Sequence, residues 1–218
     1  MKLTIHSTKL ILWAGLIAAG QMFGAGQARA ATETAVVAGG CFWCVESNFE
    51  SVPGVKSVVS GFTGGKLKDP TYEDVSHSET GHYEAVEIKF DNAKVSYAQI
   101  VSLFLHSTDV LDAGGQFCDR GDSYRSAIFA TPAQSAIAQA EVAKGAAELG
   151  KAIVTPVLAA QKFYPADAYH QDYYKSADII LTRRGPKSKA NAYKFYRSSC
   201  GRDARIQELW GSSATFLH

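Results

Sequence analysis

Thr34-Ala35-Val36-Val37-Ala38-Gly39-Gly40-Cys41-Phe42-Trp43-Cys44-Val45-Glu46 is the stretch on which the fold turns. An apolar run that stops at two glycines, and apolar residues that then return at Phe42, Val45, Phe49 and Val52, read as strand, tight turn and helix. Outward from it, Val55 to Thr63 is β-branched and ends at Gly64-Gly65, a second strand. From Tyr83 to Phe90 the residues alternate, with Tyr83, Ala85, Glu87 and Lys89 on one face and Glu84, Val86, Ile88 and Phe90 on the other, a half-buried strand. Ser96-Tyr97-Ala98-Gln99 is a capping box ahead of Ile100, Leu103 and Phe104. Thr131-Pro132-Ala133-Gln134 repeats the device with Pro at the first helical position, and Gly150 marks the end of that helix. Tyr124 to Ala130 and Ile153 to Ala160 read as strands. The order is β-α-β, a long loop from Gly64 to Gly81, then β-α-β-α-β. That order predicts an α+β fold, a ferredoxin-like sandwich with an antiparallel or mixed sheet, long loops and a C-terminal tail from Lys187 that wraps the core.

The composition agrees with one folded domain. The chain has 218 residues, 46% hydrophobic and 20% charged, with a net charge of +1, which excludes disordered, collagen-like and disulfide-miniprotein classes. Such a balance gives no electrostatic reason to expect nucleic acid or an anionic membrane as partner. Lys2 and Lys9 precede the apolar run Leu10 to Gly20, and Ala28-Arg29-Ala30 supplies a small-x-small cleavage pattern. Residues 1–30 therefore read as a signal peptide cleaved after Ala30. The run is well short of the about 20 residues a membrane span needs, so no membrane attachment is expected after cleavage. Removing Lys2, Lys9 and Arg29 leaves 19 of the 22 basic residues against 21 acidic ones. The expected mature chain, 31–218, is a single domain in the periplasm or outside the cell, an oxidising compartment.

Four cysteines must then be read for chemistry. Cys41 falls at the first turn of a helix, where unsatisfied N–H groups and the helix dipole favour a thiolate, so the expectation is a nucleophile with a lowered pKa. Val45 stands where a c-type haem attachment needs His. Cys118 and Cys200 are single and no His lies at ligand spacing, so no metal is expected.

Gly40-Cys41-Phe42-Trp43 resembles the signature of the peptide methionine sulfoxide reductase A family, which acts on the S epimer of the sulfoxide. Further matches follow in family order: Pro70 to Val75, Thr80 to Val86, Asp119 to Ser126, and Tyr169 to Tyr173. The resemblance implies a reductase that repairs oxidised proteins and peptides, holds no bound cofactor and is recycled by a thioredoxin-like dithiol protein. It implies Cys41 as nucleophile, Glu84 as catalytic acid, Tyr72 and Tyr124 as donors to the sulfoxide oxygen, and Asp119 as an ordering aspartate. Phe42 and Trp43 would form the methyl-group pocket. Read from the residues alone, Glu84 shares a face with Val86, Ile88 and Phe90, so desolvation should keep it protonated. Asp119 reads only as a loop carboxylate with Arg120 and Arg125 within pairing reach, Tyr72 and Tyr124 as amphipathic packing residues, and His170 as a satisfied structural histidine.

Attack by Cys41 would leave a sulfenic acid that a second thiol must condense with. Cys44 and Cys118 depart from the commonest family pattern, and Cys200 resembles a tail resolving cysteine. The order of expectation is Cys200, then Cys44, then Cys118. The competing function is a general thiol-disulfide oxidoreductase using Cys41 and Cys44; a disulfide-stapled binding domain is the third reading.

Overall fold

The computed structural model describes residues 31–218 apart from Ser78; the signal segment expected at 1–30 lies outside the described residues. Strand β1 (Thr32–Gly39), helix α1 (Phe42–Glu50) and strand β2 (Val55–Thr63) follow the predicted order. The long loop carries a short helix, α2 (Tyr72–His77), opened by Asp74, which accepts from Thr71 N–H at 2.9 Å. Next come β3 (Tyr83–Asp91), α3 (Tyr97–Leu105), the two-residue strands β4 (Gly115–Gln116) and β5 (Asp119–Arg120), then β6 (Ser126–Ala130) and α4 (Pro132–Leu149). After β7 (Val157–Ala159) and β8 (Tyr164–Pro165) the chain forms a hairpin, β9 (Ile179–Thr182) and β10 (Gly185–Ser188), and ends in α5 (Lys189–Ser199) and α6 (Arg202–Trp210).

Four central strands lie in the order β6-β1-β3-β2 with every neighbour antiparallel, the ferredoxin-like arrangement of two interlocked split βαβ units. β7 extends the sheet parallel to β6, and β8 extends it antiparallel to β2. One face holds the main core, where Phe42, Val45 and Phe49 of α1 and Ile100, Val101 and Phe104 of α3 pack on Val86, Ile88 and Phe90. Both capping boxes form, and Gly150 closes α4 in the left-handed region at φ 61°.

Three expectations change. β3 is not half-buried at its start, because Tyr83 and Ala85 on the second face pack with Ala38, Ala127 and Phe129 under Phe163. Ile153 to Ala160 pairs only over Val157–Ala159, since Pro156 has no N–H to give the ladder. Tyr124 precedes β6 in a 3-10 turn, Asp122–Tyr124, rather than lying in the strand. The tail does wrap the core, burying Ile206 and Trp210, and it does so as two helices behind the β9-β10 hairpin.

Candidate active site

The turn from β1 into α1 builds the nucleophile's position. Gly40 has φ +79°, and a Cβ there would stand 2.6 Å from Gln116 Cβ, so only glycine fits both the backbone and the gap. Arg202 from α6 donates to the Gly39 carbonyl at 3.0 Å, which fixes the turn from behind. Cys41 is the N-cap residue, one place before the first helical turn, and only 6% exposed. Cys44, three residues on, donates its backbone N–H to the Cys41 carbonyl at 3.1 Å and is buried.

The expected lowering of the Cys41 pKa is not what this setting produces. Burial pushes the Cys41 thiol well above its usual range, and Cys44, Glu84 and Asp119 around it push the same way. Cys44 goes in the opposite direction, to about 6, because the Cys41 thiol hydrogen-bonds it and the Arg202 and Arg197 charges favour its thiolate, outweighing its own desolvation. The two sulfurs titrate as a pair, in which burial works against a thiolate at Cys41 while the Arg202 and Arg197 charges favour one at Cys44.

Glu84 meets its expectation. It is 3% exposed, and burial raises its carboxyl to about 8 even though the Phe42 N–H donates to it at 3.0 Å. Tyr124 lies close enough to Glu84 and to Tyr72 to act on the titration of both, so the acid and both phenols meet in one cluster. Burial raises both phenols, Tyr72 to about 12, and they remain protonated donors.

Asp119 has neither partner proposed for it. Arg120 is drawn to Asp112 and Arg125 to Asp122 at 3.5 Å, while the Tyr196 hydroxyl of α5 donates to Asp119. Burial raises the Asp119 carboxyl, and the Cys41 backbone N–H holds it back. Asp119 thus joins the β4-β5 loop to α5 through Tyr196, beside the nucleophile.

The remaining walls are aromatic. Phe42 belongs to both core and site, packing against Phe62 at 5.9 Å and Tyr72 at 6.1 Å between ring centroids. Trp43 stacks on Tyr173 with centroids 3.7 Å apart, and His170 stacks on Tyr72 at 4.3 Å. His170 is not fully satisfied, since its Nδ1 is buried without a hydrogen-bond partner, as is Trp43 Nε1. Burial lowers the His170 pKa, leaving it a neutral ring. Tyr173, Tyr196 and the pair Arg197 and Arg202 were missed from sequence. Tyr173 lies inside the Tyr169 to Tyr173 motif, which flagged the segment; the other three have no local signal.

The four cysteines divide into one bonded pair and one free pair. Cys118 and Cys200 form a disulfide with Cα atoms 5.1 Å apart, across 82 residues, and so neither is free to meet Cys41 in this state. Cys41 and Cys44 are both free thiols, hydrogen-bonded to each other.

The family model described as peptide methionine sulfoxide reductase matches residues 33–211. The peptide methionine sulfoxide reductase MsrA 2 of Caulobacter vibrioides is 49% identical over 181 residues, 83% of this chain and 86% of that protein. Its counterpart in Rhizobium meliloti is 48% identical over 189 residues, 86% of this chain and 88% of that one. Among solved structures, methionine sulfoxide reductase A of Corynebacterium diphtheriae superposes with a TM-score of 0.59 at 32% identity, covering 67% of this chain and 76% of the other.

Proposed function

The chain belongs to the peptide methionine sulfoxide reductase family, and from that premise we propose how its own residues carry out the reduction of methionine S-sulfoxide. The observation that carries the reading is the buried, protonated Glu84 joined to Tyr72 and Tyr124 beside Cys41. A sulfoxide oxygen gains negative charge as its sulfur is attacked, and three O–H donors in a dry site answer that charge. A pure thiol-disulfide exchange enzyme has no oxygen to protonate, so it gives the two phenols beside that carboxyl nothing to bind.

The Cys41 sulfur attacks the sulfoxide sulfur as its proton passes to the Cys44 thiolate, and Glu84 gives a proton to the oxygen while the phenols of Tyr72 and Tyr124 hydrogen-bond it. The hydroxyl ends on Cys41 as a sulfenic acid and methionine leaves; Glu84 recovers a proton from solvent. Cys44 is then a thiol beside that sulfenic acid. Its sulfur displaces the hydroxyl as water, forming a Cys41–Cys44 disulfide. An external dithiol protein of thioredoxin type takes over the disulfide, and no bound cofactor is required. Phe42, Trp43 and Tyr173 receive the methyl group, Asp119 positions the Cys41 backbone, and the Cys118–Cys200 disulfide anchors the Asp119 loop to α5.

Residues 1–30 serve as an export signal, giving a mature domain of 31–218 outside the cytoplasm; fractionation of cells carrying the full chain, with N-terminal sequencing, checks both points. The function itself is tested by single-turnover reduction of the separated sulfoxide epimers. Stoichiometric methionine from the S epimer alone, lost in Cys41→Ser, is expected. Equal reduction of both epimers, or full rate without Cys41, would contradict the assignment.

A further inference from the structure

Strand β9 has aliphatic side chains on both faces, yet only one face is covered. Ile180 points inward and packs on the cluster of Cys41, Cys44, Tyr173 and Tyr193. Ile179 and Leu181 point outward and are 70% and 85% exposed, the most exposed large apolar residues among the described ones. Pro186, opposite Leu181 in the hairpin register, is exposed too. An apolar strand face is normally buried against something.

Charge surrounds this face with one sign only. Residues 179–197 contain six Lys and Arg and no Asp or Glu, in a chain whose described part is net acidic. Lys189 and Arg197 are paired with Asp178 and Asp203. Arg183, Arg184, Lys187 and Lys194 form no ion pair among the described residues, and Arg184 lies over the half-exposed Phe195 ring at 4.1 Å. The face is also continuous with the site: Lys189 donates to the Tyr169 carbonyl at 3.1 Å and sits over the Tyr173 ring that stacks on Trp43.

We infer that the β9-β10 hairpin and the start of α5 are the docking surface for the recycling reductant, an acidic protein with an apolar patch around a dithiol. The inference rests on the reductase reading above. A fixed surface of defined charge suits one recurring partner better than the many sequences that surround oxidised methionines. Ile180 of β9 and Tyr193 of α5 pack in one cluster with Cys41 and Cys44, so this surface borders the sulfurs, within the span of a standard interface of about 800 Å² per partner. There a partner thiolate attacks one sulfur of the Cys41–Cys44 disulfide and releases the other as a thiolate, which takes a proton. The partner's second thiol then breaks the mixed disulfide, so the partner leaves oxidised and both enzyme thiols are restored.

The test compares two reductants on the full-length mature protein, an acidic thioredoxin and dithiothreitol, in wild type, Ile179→Ser/Leu181→Ser and Arg183→Glu/Arg184→Glu. With thioredoxin, KM for the reductant should rise tenfold or more in each variant. It should also rise with salt in wild type and much less so in the charge-reversed one. With dithiothreitol all three should agree within twofold. An unchanged thioredoxin KM overturns the inference, and so does an equal loss with dithiothreitol, which would give the hairpin a role in the fold instead. Sedimentation with anionic vesicles, abolished in the variants while the thioredoxin KM stays put, would make the patch a membrane surface. Failure of wild type to turn over sulfoxide with dithiothreitol would remove the reductase reading itself, a result separable from all of these.

Discussion

Replacing Glu84 by Gln should slow the enzyme and stabilise it at once. The side chain is 3% exposed and its carboxyl is raised from 4.5 to about 8, so the charged form is disfavoured by about 5 kcal/mol at 1.36 kcal/mol per pH unit. The folded value lies above the unfolded one, so the folded state binds the proton more tightly. There is no penalty below about pH 4.5; between there and about 8 the unfolded chain ionises first and folding loses stability, about 3 kcal/mol of it by pH 7. A glutamine side chain in this place carries no charge and can still accept from the Phe42 N–H at its amide oxygen. Glu84→Gln should therefore gain up to about 3 kcal/mol at pH 7, less whatever its new NH2 group leaves unpaired, and almost nothing at pH 4.5. It loses the proton donor, so first-turnover reduction should fall by about 10²–10⁴-fold. In wild type the same rate should rise through about pH 6 as Cys44 ionises and fall above about pH 8 as Glu84 does, and the variant should lack the alkaline limb. Quenched single-turnover kinetics and urea unfolding across pH 4.5–8 measure both halves. A variant within threefold of wild-type rate, or one whose stability relative to wild type does not change with pH, would refute the reasoning.

The other predictions concern the sulfurs and their supports. Cys44→Ser should release methionine slowly, since Cys41 loses its proton acceptor, and stop after one equivalent with a sulfenic acid that a dimedone-type probe labels; continued turnover would show another thiol resolving it. Cys200→Ser should keep turning over with dithiothreitol while losing up to about 4–5 kcal/mol by the chain-entropy relation for a loop of 82 residues. Arrest of that variant after one turnover would return Cys200 to the resolving role. Tyr196→Phe removes the donor to the half-buried Asp119 carboxylate and should cost about 1 kcal/mol in urea unfolding, with Asp119 titrating at still higher pH by carboxyl NMR. Unchanged stability and titration would show that the contact contributes nothing.

Periodicity, caps and glycines exposed most of the elements because they are local: a helix or strand is written in residues a few places apart. The Gly39-Gly40-Cys41 turn, both capping boxes and the burial of Glu84 on the Val86 to Phe90 face were all readable in this way. The β9-β10 hairpin was not, because its Ile-Ile-Leu run is apolar on both faces and does not alternate. Family motifs named Tyr72, Tyr124 and Asp119, which no pattern of spacing would have separated from packing residues.

By itself, then, the sequence determined the order of the central strands and the helices packed on them, the position of Cys41 ahead of a helix and the carboxyl that would be desolvated. Tertiary structure alone decided which strands are neighbours, that Cys118 joins Cys200, that Tyr196 holds Asp119, and that burial works against a Cys41 thiolate while Arg197 and Arg202 favour one at Cys44. The reason is physical. A helix terminus favours a thiolate through a field present in the local sequence, but desolvation and the charges of Glu84, Asp119, Arg197 and Arg202 come from segments up to about 160 residues away, and no local pattern encodes their sum.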